Sequence, residues 1–214
     1  MTLQARRIRP PVNIIEGLTM PNIDVRNRLI NCKITYYGTG LGGKTTNIQY
    51  IHNKIDPSYK GKLVSLATKT ERTLFFDFMP LSLGRIKGFK VTFNICTVPG
   101  QSFYNNSRKL LLKGTDGIVF VADSQEHRFD ANIDSLYNLQ ENLEEYNVKL
   151  ENVPLVIQYN KRDLPNVLPV QELRAELNLY GVPDHEAVAV RGTGVFETLR
   201  SVIRLVSEDI RKRL

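Results

Sequence analysis

Residues 38–45 of this chain read Gly38-Thr39-Gly40-Leu41-Gly42-Gly43-Lys44-Thr45 and fit the pattern G-x-x-x-x-G-K-[S/T]. The chemistry that needs this spacing is phosphate binding. Glycines at 38, 40, 42 and 43 let successive backbone N–H groups turn inward around anionic oxygens, where a Cβ would block several of the required conformations. The Lys44 ammonium can then reach the β- and γ-phosphates of a nucleoside triphosphate, and the Thr45 hydroxyl can sit on Mg²⁺. An ordinary glycine-rich turn has a similar composition, so the flanks decide. Residues 30–37 have the β-branched and aromatic content of a strand, and residues 45–55 carry Ile48, Ile51 and Ile55 on one helical face. A helix that starts at the loop adds the partial positive charge of its N-terminus to the phosphate site.

A phosphate loop alone specifies a nucleoside triphosphate; Asn160-Lys161-Arg162-Asp163 specifies the base. Guanine presents two adjacent donors, N1–H and the 2-amino group, which match the two oxygens of the Asp163 carboxylate. Adenine would set an unprotonated N1 against it. A site built on such bonds discriminates by about 10⁴-fold or more. Asn160 can hold the base N7 and brace the phosphate loop, while the Lys161 stem covers one face of the ring. The tetrapeptide follows the apolar run 153–157, so it lies at the carboxyl end of a strand, where open α/β sheets bind ligands. Thr97-Val98-Pro99-Gly100-Gln101 ends another predicted strand. By itself it reads as a Pro-Gly turn. Beside the other two elements, the Gly100 N–H is placed to sense a γ-phosphate and the Gln101 amide to orient the attacking water.

Holding these loops together requires an α/β sheet. The runs 117–122 and 153–157 are continuously apolar, as in parallel strands covered on both faces. Phe89, Val91, Phe93 and Ile95 alternate with polar residues, which suits an antiparallel partner near a sheet edge, here the strand predicted over 73–79 with a turn at 84–88. Short strands are predicted at 63–66 and 186–190 and a short helix at 107–113. Apolar stripes at Ile133/Leu136/Leu139/Leu143/Tyr146, at Val170/Leu173/Leu177 and at Val195/Leu199/Val202/Val206/Ile210 predict three more helices. Residues 1–28, with Pro10, Pro11 and Pro21 and no clear period, are expected to be a flexible arm with room for one added edge strand, leaving 29–214 as one domain.

A chain of 214 residues is long enough for one domain with a full core. The net charge of +7 suggests nucleic acid or anionic lipid at first sight. Residues 1–28 and 200–214 hold +3 each and the body only +1, and no basic stretch is interleaved with aromatics. Nucleic-acid binding is therefore not expected, and the Arg200/Arg204/Arg211 face should be solvated. No apolar run suits a membrane span or a secretory signal. Cys32 and Cys96 fall in predicted strands and should be buried and reduced, as in a cytosolic protein. His52, His127 and His185 have no metal-ligand spacing. The terminal Arg-Lys-Arg-Leu offers no cysteine for a prenyl anchor.

Together these elements resemble the small GTPases of the Ras superfamily. Residues 36–47, Arg72-Thr73-Leu74-Phe75-Phe76-Asp77-Phe78, residues 97–101, Ala122-Asp123-Ser124-Gln125 and residues 158–165 are similar to one branch in particular, the MglA-like bacterial GTPases of cell polarity and gliding motility. The likeness runs over 29–210. It implies a Ras-like P-loop GTPase fold, with a mostly parallel five- to six-stranded sheet and helices on both faces. It also implies a GTP/GDP switch with Mg²⁺, and hydrolysis that is slow without a roadblock-fold GTPase-activating partner of the MglB type. Effectors of polarity or motility would bind the GTP form, in the cytoplasm or at a cell pole. By position, the resemblance places Gly40 near the γ-phosphate and Thr46 next to Thr45 in the nucleotide site. Thr73 joins Thr45 on Mg²⁺, Arg72 is an intrinsic arginine finger, and Gln101 orients water. Read without the family, Arg72 is one arginine in a polar stretch. The branch's chains begin shortly before the first strand, which makes Met20 the expected start.

Two departures from the general small-GTPase pattern stand out. Thr97 replaces the Asp that in most members holds Mg²⁺ through water, which shifts that burden to Thr45 and Thr73. Val188-Ala189-Val190 replaces the usual Ser-Ala-Lys, leaving the Ala189 N–H to meet the guanine O6. Weakly held Mg²⁺ would also suit a non-cycling scaffold that binds nucleotide for structure. A P-loop ATPase or small-molecule kinase is a further alternative, which Asp163 opposes.

Overall fold

The computed structural model describes residues 21–66, 76–100 and 104–214. At its centre lies an eight-stranded sheet. In chain order the strands are β1 (Asn22–Asp24), β2 (Leu29–Tyr37), β3 (Val64–Leu66), β4 (Phe76–Ile86), β5 (Phe89–Thr97), β6 (Gly117–Asp123), β7 (Leu155–Asn160) and β8 (Asp184–Glu186). The path across the sheet is β3-β4-β5-β2-β6-β7-β8, with β1 paired to β2. Pairings from β5 through β8 are parallel, while β3–β4, β4–β5 and β1–β2 are antiparallel. The three-residue strands β1, β3 and β8 raise the count above the five to six strands the resemblance implied.

β2 is the pivot. Its Ile34 sits opposite Ile95 of β5 on one side and Gly117 of β6 on the other. The chain winds outward from β2 in both directions, so the carboxyl end of β2 opens into the crevice where such sheets bind ligands. Lower down, where β6 has not yet begun, β1 occupies the edge of β2 through Ile23 opposite Ile30. Of the segment 1–28, residues 1–20 lie outside the described range.

The helices α1 (Lys44–Lys54), α2 (Asn105–Leu112), α3 (Phe129–Glu144), α4 (Val170–Leu177) and α5 (Val195–Arg213) divide between the two faces. Strand alternation decides what each face offers. Val119 and Val121 of β6 point into the core shared with Ile48 and Ile51 of α1 and Val202 and Val206 of α5. Ile118 and Phe120 point into the opposite core, with Leu112 of α2, Leu139 and Leu143 of α3 and Leu173 of α4. Both cysteines are buried and unpaired. A buried amide pair crosses from helix to sheet: Asn47 Nδ2 donates to Gln158 Oε1 at 2.7 Å, and Gln158 Nε2 donates to Asn47 Oδ1 and to Thr198 Oγ1, both at 3.0 Å. This fixes α1, β7 and α5 relative to one another. Among the described residues, no helix is long and apolar enough to cross a membrane.

Two boundaries differ from the sequence expectation. The turn predicted at 84–88 is only Lys87-Gly88. Both have positive φ, 45° and 85°, as a two-residue hairpin turn requires. Gly84, at φ 68°, instead lies in a bulge where the β4–β5 register shifts between Ser82 and Arg85. The last strand is Asp184–Glu186 rather than 186–190. The residues that follow turn into a loop pinned by the Val188–Thr193 bridge, and that loop reaches the candidate site.

Candidate functional site

The phosphate-loop residues connect β2 directly to α1. Gly38 adopts φ 133°, and a Cβ there would collide with the Val121 carbonyl oxygen of β6. Gly43, at φ 103°, caps α1 without any side-chain acceptor, which leaves the first N–H groups of the helix for a ligand. Lys44 is buried. Its Nζ donates to Gly38 O at 2.9 Å and Thr39 O at 2.7 Å. Burial, and after it the Arg108 charge, pull its pKa down to about 7. Two cationic groups converge here and the described partners of Lys44 are carbonyls, so a phosphate would supply the missing counter-charge. A cleft of about 770 Å³ runs from Gly40, Lys44, Thr45 and Thr46 past Thr97 to Gly100.

A carboxylate that the sequence reading did not single out faces this cleft. Asp77 on β4 is buried, and its Oδ2 accepts the Thr45 hydroxyl at 2.7 Å and the Thr97 hydroxyl at 3.1 Å. Its Oδ1 accepts Ser65 Oγ at 2.6 Å, and its N–H donates to Thr97 Oγ1 at 2.8 Å. One carboxylate ringed by hydroxyls at the mouth of a phosphate pocket is a donor set that fits Mg²⁺. This ion takes one or two protein carboxylates and completes its shell with phosphate and water. The acid missing at Thr97 thus has a spatial counterpart on the neighbouring antiparallel strand.

Of the residues read for guanine, Asn160 meets the phosphate loop directly. Asn160, the last residue of β7, donates from Nδ2 to Gly42 O at 2.8 Å, and its Oδ1 accepts the Ala189 N–H at 2.9 Å. Both ends of that amide, and the Ala189 N–H, are therefore engaged in joining the segments. The Arg162 N–H adds a bond to Ala187 O at 3.1 Å. Lys161 adopts φ 67° and places Nζ 2.6 Å from Oδ2 of the buried Asp123. The Asp163 side chain is one-fifth exposed and lies 3.6 Å from an Arg191 guanidinium nitrogen, a neighbour the sequence reading did not include.

At the other end of the cleft, Gly100 is packed so closely on Gly40 that a Cβ would run into the Gly40 backbone. Buried Arg108 of α2 holds this approach. It donates to Pro99 O at 2.9 Å, to Gly100 O at 2.8 Å and to Asn138 Oδ1 of α3 at 2.7 Å. Its guanidinium lies 5.7 Å above the Tyr37 ring centre. Arg72, Thr73 and Gln101 lie outside the described residues.

The sequence pattern of the ADP-ribosylation factor family matches residues 29–206. The chain belongs to this family of small GTPases. It is also similar to the mutual gliding-motility protein MglA of Myxococcus xanthus (strain DK1622), with 58% identity over 193 residues, 90% of this chain and 99% of that protein. The protein is thus a small GTPase: it binds and hydrolyses GTP and works as a GTPase switch. Membership also removes the ATPase and kinase alternatives. What sequence reasoning missed in this small GTPase are Asp77 and Arg108. Asp77 was legible only through the pairing of β4 with β5, which sets it beside Thr97. Arg108 sits in a helix whose spacing carried an apolar signal alone.

Proposed function

We propose that this small GTPase is a switch for bacterial cell polarity and gliding motility, acting from the cytoplasm through partners that bind its GTP form. The observation that carries the reading is its likeness, across nearly the whole of both chains, to a mutual gliding-motility protein. In this reading the triphosphate lies along residues 38–46, with Lys44 and the first amides of α1 against the phosphates and Gly100 at the γ-phosphate. Guanine lies against Asn160, Lys161, Asp163 and Ala189. Arg72 neutralises charge on the transferred phosphoryl group while Gln101 orients the water. Mg²⁺, when bound, would offset phosphate charge, held by Thr45 and Thr73 with Asp77 as the supporting carboxylate. A roadblock-fold partner of the MglB type would accelerate hydrolysis. The test is co-elution of that partner with protein loaded with a non-hydrolysable GTP analogue or with GDP. Retention of the GTP-analogue form alone is expected, and equal retention of both forms would sink the switch.

The metal assignment has its own test. Asp77→Asn keeps an acceptor for the threonine hydroxyls and removes the charge. Removing outer-sphere support of this kind typically weakens metal binding about 10–100-fold. The Mg²⁺ concentration that slows GDP release should rise by that factor, with GDP release in EDTA unchanged. An identical Mg²⁺ titration in wild type and variant would refute the role.

A further inference from the structure

Arg128, the residue that caps α3, does not line the phosphate cleft but lines an adjoining cavity of about 690 Å³ together with Thr39, Gly40 and Leu41. One guanidinium nitrogen donates to Thr39 Oγ1 at 2.8 Å and to Gly40 O at 2.9 Å. We propose that Arg128 is a positioning residue for GTP hydrolysis, holding the Gly40–Leu41 peptide so that its N–H faces the γ-phosphate end of the cleft. This rests on the reading that residues 38–46 hold the triphosphate.

The argument is one of peptide geometry. A trans peptide directs its C=O and N–H to opposite sides. With the Gly40 carbonyl held by Arg128, the Leu41 N–H is directed to the side away from that guanidinium, and the two residues also line the phosphate cleft. That orientation needs an external hold. Leu41 sits at φ 63°, which a bulky side chain rarely adopts, and it is 91% exposed, so packing does not keep it there. Inside the loop, the Gly42 N–H donates to Thr39 O at 3.2 Å. The two bonds from Arg128 brace the outer side. Arg128 is itself aimed: its Nε lies 3.9 Å from Asp123 Oδ2, the same oxygen that takes Lys161. One buried carboxylate therefore links the base motif to the far end of the phosphate loop. Thr39 gives Arg128 its second acceptor in the loop.

The experiment compares GTP and GDP affinity and single-turnover GTP hydrolysis in wild type, Arg128→Ala, Arg128→Lys and Thr39→Val. Arg128→Ala should hydrolyse GTP about 10–100-fold more slowly, the scale on which a misdirected group near the reacting centre acts, with GDP affinity within about threefold and the melting temperature kept. Arg128→Lys should recover part of the rate, because an ammonium can still reach the Gly40 carbonyl. Thr39→Val should lose less than Arg128→Ala, because it spares that bond. Wild-type hydrolysis in Arg128→Ala would overturn the proposal. So would equal losses for GTP and GDP with a lowered melting temperature, which would make Arg128 a general brace. Lys44→Ala serves as the separate check on the phosphate reading: if it binds GTP normally, that reading fails, whatever Arg128 does.

Discussion

Asp163→Asn should lower GTP affinity by about 10³-fold or more and turn the pocket toward xanthosine triphosphate. The carboxylate offers two acceptors to the two adjacent donors of the guanine edge. An amide replaces one acceptor with a donor, so a donor faces a donor, and a guanine N–H loses its partner in a partly desolvated site. An unsatisfied group of this kind costs about 1–3 kcal/mol, and more where the lost partner is charged. Each 1.4 kcal/mol is a factor of ten in affinity. Xanthine carries a carbonyl where guanine carries its 2-amino group, so the new donor finds an acceptor. Arg191, 3.6 Å from Asp163, also loses its counter-charge in the variant. Competition of GTP and xanthosine triphosphate for a fluorescent nucleotide measures the change. An unaltered GTP affinity would show that Asp163 does not read the base.

Arg72→Ala should abolish the stimulation of hydrolysis by a roadblock-fold partner while leaving GTP binding intact. An arginine placed on the charge that develops at the γ-phosphate contributes about 10³–10⁵ in rate. Arg72 directly precedes Thr73, the proposed Mg²⁺ ligand, so a partner that contacts this segment would place both at once without donating an arginine of its own. Gln101→Leu should fail similarly, because the water loses its guide. Single-turnover hydrolysis at saturating partner decides the point. If Arg72→Ala is stimulated as strongly as wild type, the finger comes from elsewhere.

The parts of the fold legible in the sequence were those written as local pattern. Glycines 38 and 43 announced the loop, and the geometry gives the reason: each takes a positive φ, and a Cβ would meet Val121 O at one and Asn160 at the other. The apolar runs of β6 and β7 announced buried parallel strands and so placed Asn160 at a carboxyl end. The turn of the β4–β5 hairpin was read too broadly because two glycines, Gly84 and Gly88, give the same signal, although one makes a bulge and the other a turn. Roles that depend on a partner from a distant stretch of chain left no local trace. Arg108 takes its meaning from Pro99, Gly100 and Asn138, and Arg128 from Thr39 and Gly40. Arg72 and Thr73, read from the family resemblance, and Gln101, read from the strand-ending motif 97–101, fall outside the described residues.

Asp77 and Thr97 lie side by side on antiparallel strands, joined by two hydrogen bonds. Neighbours across such a ladder project from the same face of the sheet, so either position can deliver a carboxylate to nearly the same point in space. A column-by-column comparison would score this chain as having lost its magnesium acid and would file it among degenerate, inactive relatives. Measured as a location rather than a sequence number, a carboxylate still stands beside Thr45 and Thr97, carried by the neighbouring strand. A survey that sorts hydrolases by motif completeness alone would not register that carboxylate.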